Sequence, residues 1–242
     1  MALSTIKTNS IDDSAITNDK IANSTIDVTG KITGAVPVAN GGTALTSIGS
    51  ANQAMTVNSG ASALEFTTIK KAGKESIWVP ATAMYPNTTS GCAGLAQTEL
   101  GNGPELKTLD FDKDSDEFAQ FAVAFPKSWN EGTITFQAFF TAASTNTGTV
   151  AWTLAGTSLA DNGSLNTAFG TAVQATAKAH SGTSNDLDVT AESGAVTIAG
   201  SPSTDEYVFF EIKRDVSADS LTADAKLLGI KLFFTTDAAT DT

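Results

Sequence analysis

Chemically reactive residues are scarce in this sequence. Its 242 residues include one cysteine, Cys92, and one histidine, His180. A lone cysteine excludes an intrachain disulfide framework and a zinc site built from several cysteines. A Ser-His-Asp triad would have to use His180, which lies in a polar turn without a nucleophile-elbow sequence and is predicted to be an ordinary loop residue. We therefore expect no enzyme activity, no cofactor and no bound metal.

Basic residues and long apolar runs are also few. The chain has 14 Lys and Arg against 26 Asp and Glu, a formal net charge of −12. Such a charge repels nucleic acid and anionic membranes, so we expect neither as a ligand. No segment approaches the roughly 18 apolar residues that a membrane-spanning helix needs, which predicts no membrane insertion.

Isoleucine recurs at a five-residue step near the N-terminus. The repeat consists of Ile6, Ile11, Ile16, Ile21, Ile26 and, one residue late, Ile32. This step would spread isoleucines around an α-helix and alternate them between the faces of a strand, so it fits neither element. Three parallel chains around a common axis would bury one isoleucine per chain at each step, which predicts a homotrimeric stalk with these residues at the axis. A single-chain β-helix would need more repeats, and a disordered polar tail is the other alternative.

The isoleucine repeat ends where the composition changes. We therefore assign residues 1–36 to the stalk. Residues 37–76 are rich in Gly, Ser and Ala and are predicted to form a collar or a flexible linker. Within them, residues 53–57 and 64–68 have the pattern of a β-hairpin around a turn-forming loop.

Residues 77–236 have the pattern of an all-β head. Large apolar residues alternate with polar ones, and clusters of Asp, Asn, Gly and Ser separate the alternating segments. This pattern predicts a jelly-roll-like β-sandwich, followed by an acidic tail at 237–242. Strands are predicted at 76–79, 105–111, 117–125, 133–142, 150–156, 172–177, 187–191, 195–199, 207–214 and 225–235.

Four aspartates at alternate positions suggest a calcium loop. A loop beginning at Asp110 would place Ser115 where an EF-hand needs glycine and Phe121 where it needs glutamate, and a start at Asp112 fails in the same way. We therefore predict a solvated turn between two strands, with a weak calcium site as the alternative. Asp114 and Asp116 are the other two of these four aspartates.

A tryptophan in a polar loop is the candidate for ligand binding. The loop joins two apolar strands, and its candidate ligand-facing residues are Lys127, Trp129, Asn130 and Glu131. Aromatic rings on loops can stack on sugars while polar neighbours bond hydroxyl groups. The alternative is that Trp129 caps the sandwich or packs across a trimer interface. Trp78 and Trp152 lie within apolar alternation and are predicted to be in the core.

Two segments resemble fibre proteins of tailed bacteriophages: SIDDSAITNDKIANSTID and VPVANGGTALTSIGSANQAMTVNSGASALEF. A third, EFAQFAVAFPKSWNEGTITFQAFF, resembles a C-terminal domain of virion proteins from phages of aquatic bacteria. The resemblance implies a structural virion protein, a homotrimeric tail fibre or spike that attaches through its N-terminal segment to other virion proteins. Its heads would bind a host-surface glycan or protein.

Two other functions remain open at this point. The same architecture suits a capsid decoration protein, a head fibre or cement protein with a mechanical role. A spike enzyme that cleaves glycans would need a pair of catalytic carboxylates, and no pair stands out in this acidic chain.

Overall fold

The computed structural model describes residues 11, 12, 16, 17, 19, 21, 35–40, 42–69 and 73–237. The chain divides into two units, Met1–Ile69 and Lys70–Thr242. Ile11 and Ile16 of the isoleucine repeat are exposed, by 44% and 52%, and Ile21 is half-buried. Three further isoleucines lie outside the described residues, so the homotrimeric stalk stays a prediction: Ile6, Ile26 and Ile32.

The first unit contains a short 3-10 turn, Val38–Asn40, and one β-hairpin. The hairpin pairs β1 (Gln53–Val57) with β2 (Leu64–Thr68) in antiparallel register, which confirms the hairpin predicted from the sequence. Asn58 closes the loop between them, because its Oδ1 accepts hydrogen bonds from two backbone N–H groups across the turn. Among the described residues, this sheet contains only these two strands.

The second unit consists of strands and short 3-10 turns at Ala81–Ala83 and Val216–Ala218. Its strands are β3 (Lys74–Pro80), β4 (Tyr85–Pro86), β5 (Ala96–Glu99), β6 (Glu105–Phe111), β7 (Glu117–Val123), β8 (Thr135–Thr141), β9 (Thr149–Val150), β10 (Trp152–Leu159), β11 (Val173–Gln174), β12 (Lys178–Ala179), β13 (Asp188–Val189), β14 (Ile198–Ala199), β15 (Tyr207–Arg214) and β16 (Ala225–Thr235). The described part of the chain contains no helix long and apolar enough to cross a membrane.

Two 6-stranded sheets make up most of this unit. Sheet I has the order β11-β10-β15-β7-β4, with β14 parallel to β10. Sheet II has the order β13-β8-β16-β6-β5, with β3 also pairing with β16. β9 and β12 form a separate small pair. The predicted all-β sandwich is confirmed.

The core lies between the sheets, because each strand turns its apolar residues to one side. In β15, Val208, Phe210 and Ile212 are fully buried and alternate with outward-facing residues. Across the interface, the Trp152 ring of sheet I packs edge-on against Phe111 of sheet II, with ring centroids 4.9 Å apart. Such contacts hold the two apolar faces together as a sandwich.

The first and last strands of the second unit lie side by side. β3 pairs with β16 from Lys74 opposite Thr235 to Pro80 opposite Gly229. β6 pairs with the other end of the same edge of β16, and β8 runs along the opposite edge. β16 is therefore a central strand, which explains its long apolar run.

A buried arginine forms hydrogen bonds that connect the loop after β15 to β6. Arg214 is fully buried, and its Nε donates a hydrogen bond to Asp219 at 2.7 Å. Its other guanidinium nitrogens donate to the backbone carbonyls of Phe111, Leu221 and Ala223 at 3.0–3.1 Å. The rigid fork of arginine thus pairs one charge and satisfies three buried carbonyls.

The two tryptophans that were predicted to be in the core differ in burial. Trp152 is fully buried, as predicted, but Trp78 is 48% exposed. Trp78 lies on the outer face of sheet II, where its ring packs edge-on against Phe139 at 5.0 Å. Gly229 leaves room for this ring, since a Cβ at that position would lie 2.7 Å from it. The prediction for Trp78 was wrong because alternation shows which residues share a face but not which face is buried. Both faces of β3 carry apolar groups, so the pattern did not distinguish them.

Candidate functional site

The outer face of sheet I carries a group of aromatic and polar side chains. Tyr85 of β4 lies opposite Gln120 of β7, which lies opposite Glu211 of β15. Directly paired residues point to the same side of a sheet, so these three form a row across three strands. We call the surface the tyrosine face and define it by Tyr85, Asn87, Gln120, Thr157, Tyr207, Phe209 and Glu211.

Two tyrosine rings are presented on this face. Tyr85 and Tyr207 are each 49% exposed, and the Tyr207 ring is supported edge-on by Phe209 with centroids 5.1 Å apart. Partial burial raises the pKa of the Tyr85 phenol, and the nearby phenol of Tyr207 raises this pKa further. Strand register places both rings on the outer side of sheet I. Half-exposed rings of this kind offer a flat apolar area with a polar hydroxyl at its edge.

A carboxylate is held in a fixed orientation beside the rings. Glu211 Oε2 accepts hydrogen bonds from Asn87 Nδ2 at 2.8 Å and from Gln120 Nε2 at 3.1 Å. Within the described residues, Glu211 Oε1 has no hydrogen-bond donor and no cation pairs with this carboxylate. One oxygen is thus fixed by two amides, while the other can accept a hydrogen bond from a ligand.

A cleft of about 160 Å³ opens on the same face. Strands β7, β10 and β15 line it with Gln120, Thr157 and Phe209, and Leu165 and Phe169 of the loop after β10 complete the wall. The cleft is smaller than the roughly 300–1,000 Å³ of pockets that enclose drug-sized ligands. It has room for one end or one unit of a larger ligand.

Two buried polar atoms on the tyrosine face lack partners. Thr157 is 2% exposed, and neither its Oγ1 nor the Oδ1 of Asn87 has a hydrogen-bond partner among the described residues. Buried polar atoms normally form hydrogen bonds, and an exception indicates a missing water, ion or ligand group. Of the two residues only Thr157 lines the cleft, so its Oγ1 is the atom that a group entering the cleft would meet.

Sequence reasoning missed the tyrosine face. Its residues come from four strands that are distant in sequence, and Tyr85 belongs to a strand of 2 residues that no periodic pattern reveals. One signal was present in β15. Tyr207, Phe209 and Glu211 alternate with the buried residues of this strand, so two aromatic residues stand on its outward face, where polar residues are more common.

The loop that contains Trp129 does not present an aromatic ring to a ligand, contrary to what the sequence had suggested. The Trp129 ring is 1% exposed and stacks on Phe125 with centroids 4.3 Å apart. Its apolar surface is buried in the core, so the ring cannot reach a ligand, and that part of the prediction was wrong. The alternative that Trp129 caps the sandwich describes the structure. Lys127, Asn130 and Glu131 are exposed but surround no accessible aromatic ring.

His180 is buried rather than placed in an exposed loop. Its Nδ1 lies 2.6 Å from Asp188 Oδ2, and its Nε2 lies 3.0 Å from the carbonyl oxygen of Ser144. A triad would need a serine hydroxyl at Nε2, and a backbone carbonyl occupies that position.

Burial raises the pKa of the Cys92 thiol to about 12, so little thiolate exists at neutral pH.

Asp112, Asp114 and Asp116 lie in the predicted turn between β6 and β7, and Asp110 lies near the end of β6. Asp112 accepts hydrogen bonds from two backbone N–H groups of its own turn. Asp110 pairs with Lys226 at 3.2 Å, and Asp116 pairs with Lys213 at 3.0 Å. The carboxylates thus have separate partners, and no group of three or more potential metal ligands occurs in the described residues.

Comparison with known proteins gave structural similarities only. No protein-family model and no curated protein matches the sequence. The C-terminal carbohydrate-binding module of a marine laminarinase from Zobellia galactanivorans is 12% identical, covering 65% of this chain and 98% of its own, with a TM-score of 0.34. A xylan-binding module is 12% identical, covering 69% of this chain and 100% of its own, with a TM-score of 0.38.

A family 11 carbohydrate-binding module from Clostridium thermocellum is 8% identical, covering 67% of this chain and 96% of its own, with a TM-score of 0.36. Such scores are too low to transfer a ligand to this chain. The residues of the tyrosine face have to support a function by their own chemistry.

Proposed function

We propose that the second unit is a non-catalytic carbohydrate-binding β-sandwich and that the tyrosine face binds the sugar. The observation that carries this proposal is the combination of two half-exposed tyrosine rings with a fixed carboxylate on one face. Sugar rings combine apolar C–H faces, which pack on aromatic rings, with hydroxyl groups that both donate and accept hydrogen bonds. Each part of the face has a counterpart in such a ligand.

The parts of the face have different roles in this proposal. Tyr85 and Tyr207 pack against sugar rings, and Glu211 accepts a hydrogen bond from a sugar hydroxyl. Thr157 bonds a hydroxyl of the unit that enters the cleft. Because the cleft is only about 160 Å³, one sugar unit occupies it while the remaining chain lies across the open face.

We expect Tyr207→Ala and Tyr85→Ala each to weaken polysaccharide binding roughly tenfold, the change that about 1.4 kcal/mol produces. The physical reason is the loss of the ring surface. Binding would first be found by screening a glycan array and then measured by titration calorimetry.

Trp78→Ala is the matched control, because Trp78 is equally exposed but lies on the opposite sheet. An equal loss with Trp78→Ala would place the ligand elsewhere. Unchanged affinity in both tyrosine variants would refute the tyrosine face as the binding surface.

We further propose that this head belongs to a homotrimeric fibre or spike of a tailed-bacteriophage virion, as the resemblance of the sequence implies. The hairpin of the first unit supports self-association. Met55 and Val57 are 50% and 61% exposed, and their cross-strand partners Phe66 and Leu64 share the same face. An isolated two-stranded hairpin is only marginally stable in water, so this apolar face needs a partner.

A second and a third copy of the chain supply that partner in the proposed trimer. The face carries no charged residue, since its remaining pair is Gln53 and Thr68, so its burial requires no desolvation of charge. Residues 1–36 form the stalk and contact other virion proteins. We also assign the head to the jelly-roll type, because many of its connections pass from one sheet to the other.

We expect Met55→Asp combined with Val57→Asp to convert a trimer into smaller species at micromolar concentration. Two buried carboxylates per chain at the interface would be strongly unfavourable. Light scattering coupled to size-exclusion chromatography reports the mass. Thr67→Asp is the control, since Thr67 lies on the opposite face of the hairpin and should leave the mass unchanged. A monomeric wild-type protein would refute the trimer.

Electron microscopy of virions labelled with an antibody against residues 77–236 tests the virion assignment. Label on tail fibres supports the receptor-binding fibre. Label on the capsid alone favours the decoration protein. Purified virions without label would reject the virion assignment while leaving carbohydrate binding by the head to its own test.

A further inference from the structure

We infer that the tyrosine face selects uncharged, hydroxyl-rich sugars and rejects acidic ones. The inference rests on the proposed function, carbohydrate binding at this face, and adds the class of sugar. It follows from the charges around Glu211 and from the kinds of unpartnered atoms on the face.

The tyrosine face holds a carboxylate, that of Glu211, with which no cation forms an ion pair among the described residues. Glu211 is bonded by the neutral amides of Asn87 and Gln120. Lys213 is the only basic residue that the strands of sheet I direct outward. The strand alternation that exposes Glu211 also places Lys213 on the same face.

Lys213 is not available to an anionic ligand. Its Nζ donates hydrogen bonds to Asp116 and Asp215, each at 3.0 Å. Sites that bind carboxylate, sulfate or phosphate groups normally supply arginine or lysine side chains as donors. An acidic sugar would meet the Glu211 carboxylate without such a donor, and the net charge of −12 would repel an acidic polymer at longer range.

The unpartnered atoms on the face also require a ligand that donates hydrogen bonds. Glu211 Oε1 accepts only. Thr157 Oγ1 can donate or accept. Sugar hydroxyls supply the donors that these atoms need, whereas ligand carboxylates and sulfates supply acceptors only.

The test compares neutral polysaccharides with charged derivatives of the same backbone. Each polymer is presented as its hydroxyethyl derivative and as its carboxymethyl derivative at equal substitution, so that the same number of ring hydroxyls is substituted in both but only the carboxymethyl form gains charge. Binding of the full chain is measured by biolayer interferometry at low and high salt. We expect the hydroxyethyl form to bind at least tenfold more tightly at low salt, with a smaller difference at high salt.

A charge-neutral variant sharpens the comparison. Glu211→Gln keeps an acceptor for the two amides but removes the charge, so it should raise affinity for the carboxymethyl form at least fivefold. Glu75→Gln removes one charge from the exposed strand β3 of sheet II and should change neither affinity.

The outcomes separate this inference from the proposed function. Carboxymethyl polymers that bind as tightly as hydroxyethyl ones, with binding abolished by Tyr207→Ala, would overturn the selectivity and keep the sugar site. Failure of every polymer in both forms to bind the folded protein would reject both proposals.

Discussion

Replacing Arg214 with methionine is expected to lower the free energy of unfolding by about 3–5 kcal/mol, the usual cost of breaking a buried ion pair. The Asp219 side chain is 3% exposed, so without the guanidinium its charge would be buried and unpaired. The carbonyls of Phe111, Leu221 and Ala223 would lose their donor as well. Urea unfolding followed by tryptophan fluorescence measures the change.

Lys213→Met is the matched control, since this neighbouring lysine forms more exposed ion pairs. Its removal should cost about 1 kcal/mol or less. Combining Arg214→Met with Asp219→Asn should recover part of the loss, because the uncompensated charge is then removed. Equal effects of the Arg214 and Lys213 variants would show that the buried network does not stabilise the loop.

Trp152→Ala is expected to destabilise the protein by about 3–5 kcal/mol, the range for large aromatic residues removed from a core. The Trp152 ring lies between Phe111 and Phe140 of the opposite sheet, with centroids 4.9 Å and 5.9 Å away. Its removal would leave a cavity where the two sheets meet. Denaturant unfolding monitored by circular dichroism avoids dependence on the deleted fluorophore.

Trp78→Ala provides the comparison on the same assay. Trp78 is 48% exposed and packs on only one side, against Phe139 and Gly229, so its loss should cost about 1 kcal/mol. A Trp78 variant as unstable as the Trp152 variant would contradict the placement of Trp78 on the outer face.

Long alternating strands could be predicted from the sequence because their pattern repeats several times. The bounds of β6, β15 and β16 agree with the predicted segments 105–111, 207–214 and 225–235. Strands of 2 residues such as β4 and β9 contain no repeat of the two-residue period, so their existence depends on the neighbouring strand rather than on local sequence.

The candidate site was less predictable than the fold. A polar loop that carries tryptophan suggested an exposed ring, but burial of the Trp129 side chain against Phe125 outweighs the preference of its polar neighbours for solvent. Likewise, nothing in the sequence links His180 to its buried partner Asp188. Tyr85, Gln120 and Glu211 meet only through strand register, which local patterns do not encode.

The pairing of β3 with β16 determines how the head would respond to mechanical tension. A pull on the residues before Lys74 enters the head through β3, the strand that joins it to the preceding chain. Lys74 lies opposite Thr235 in this antiparallel pair, so opposed pulls on the chain before Lys74 and after Thr235 would open the residue pairs one after another from that end. Peeling β3 away from β16 would uncover the part of the core to which Val79 and Ile77 contribute.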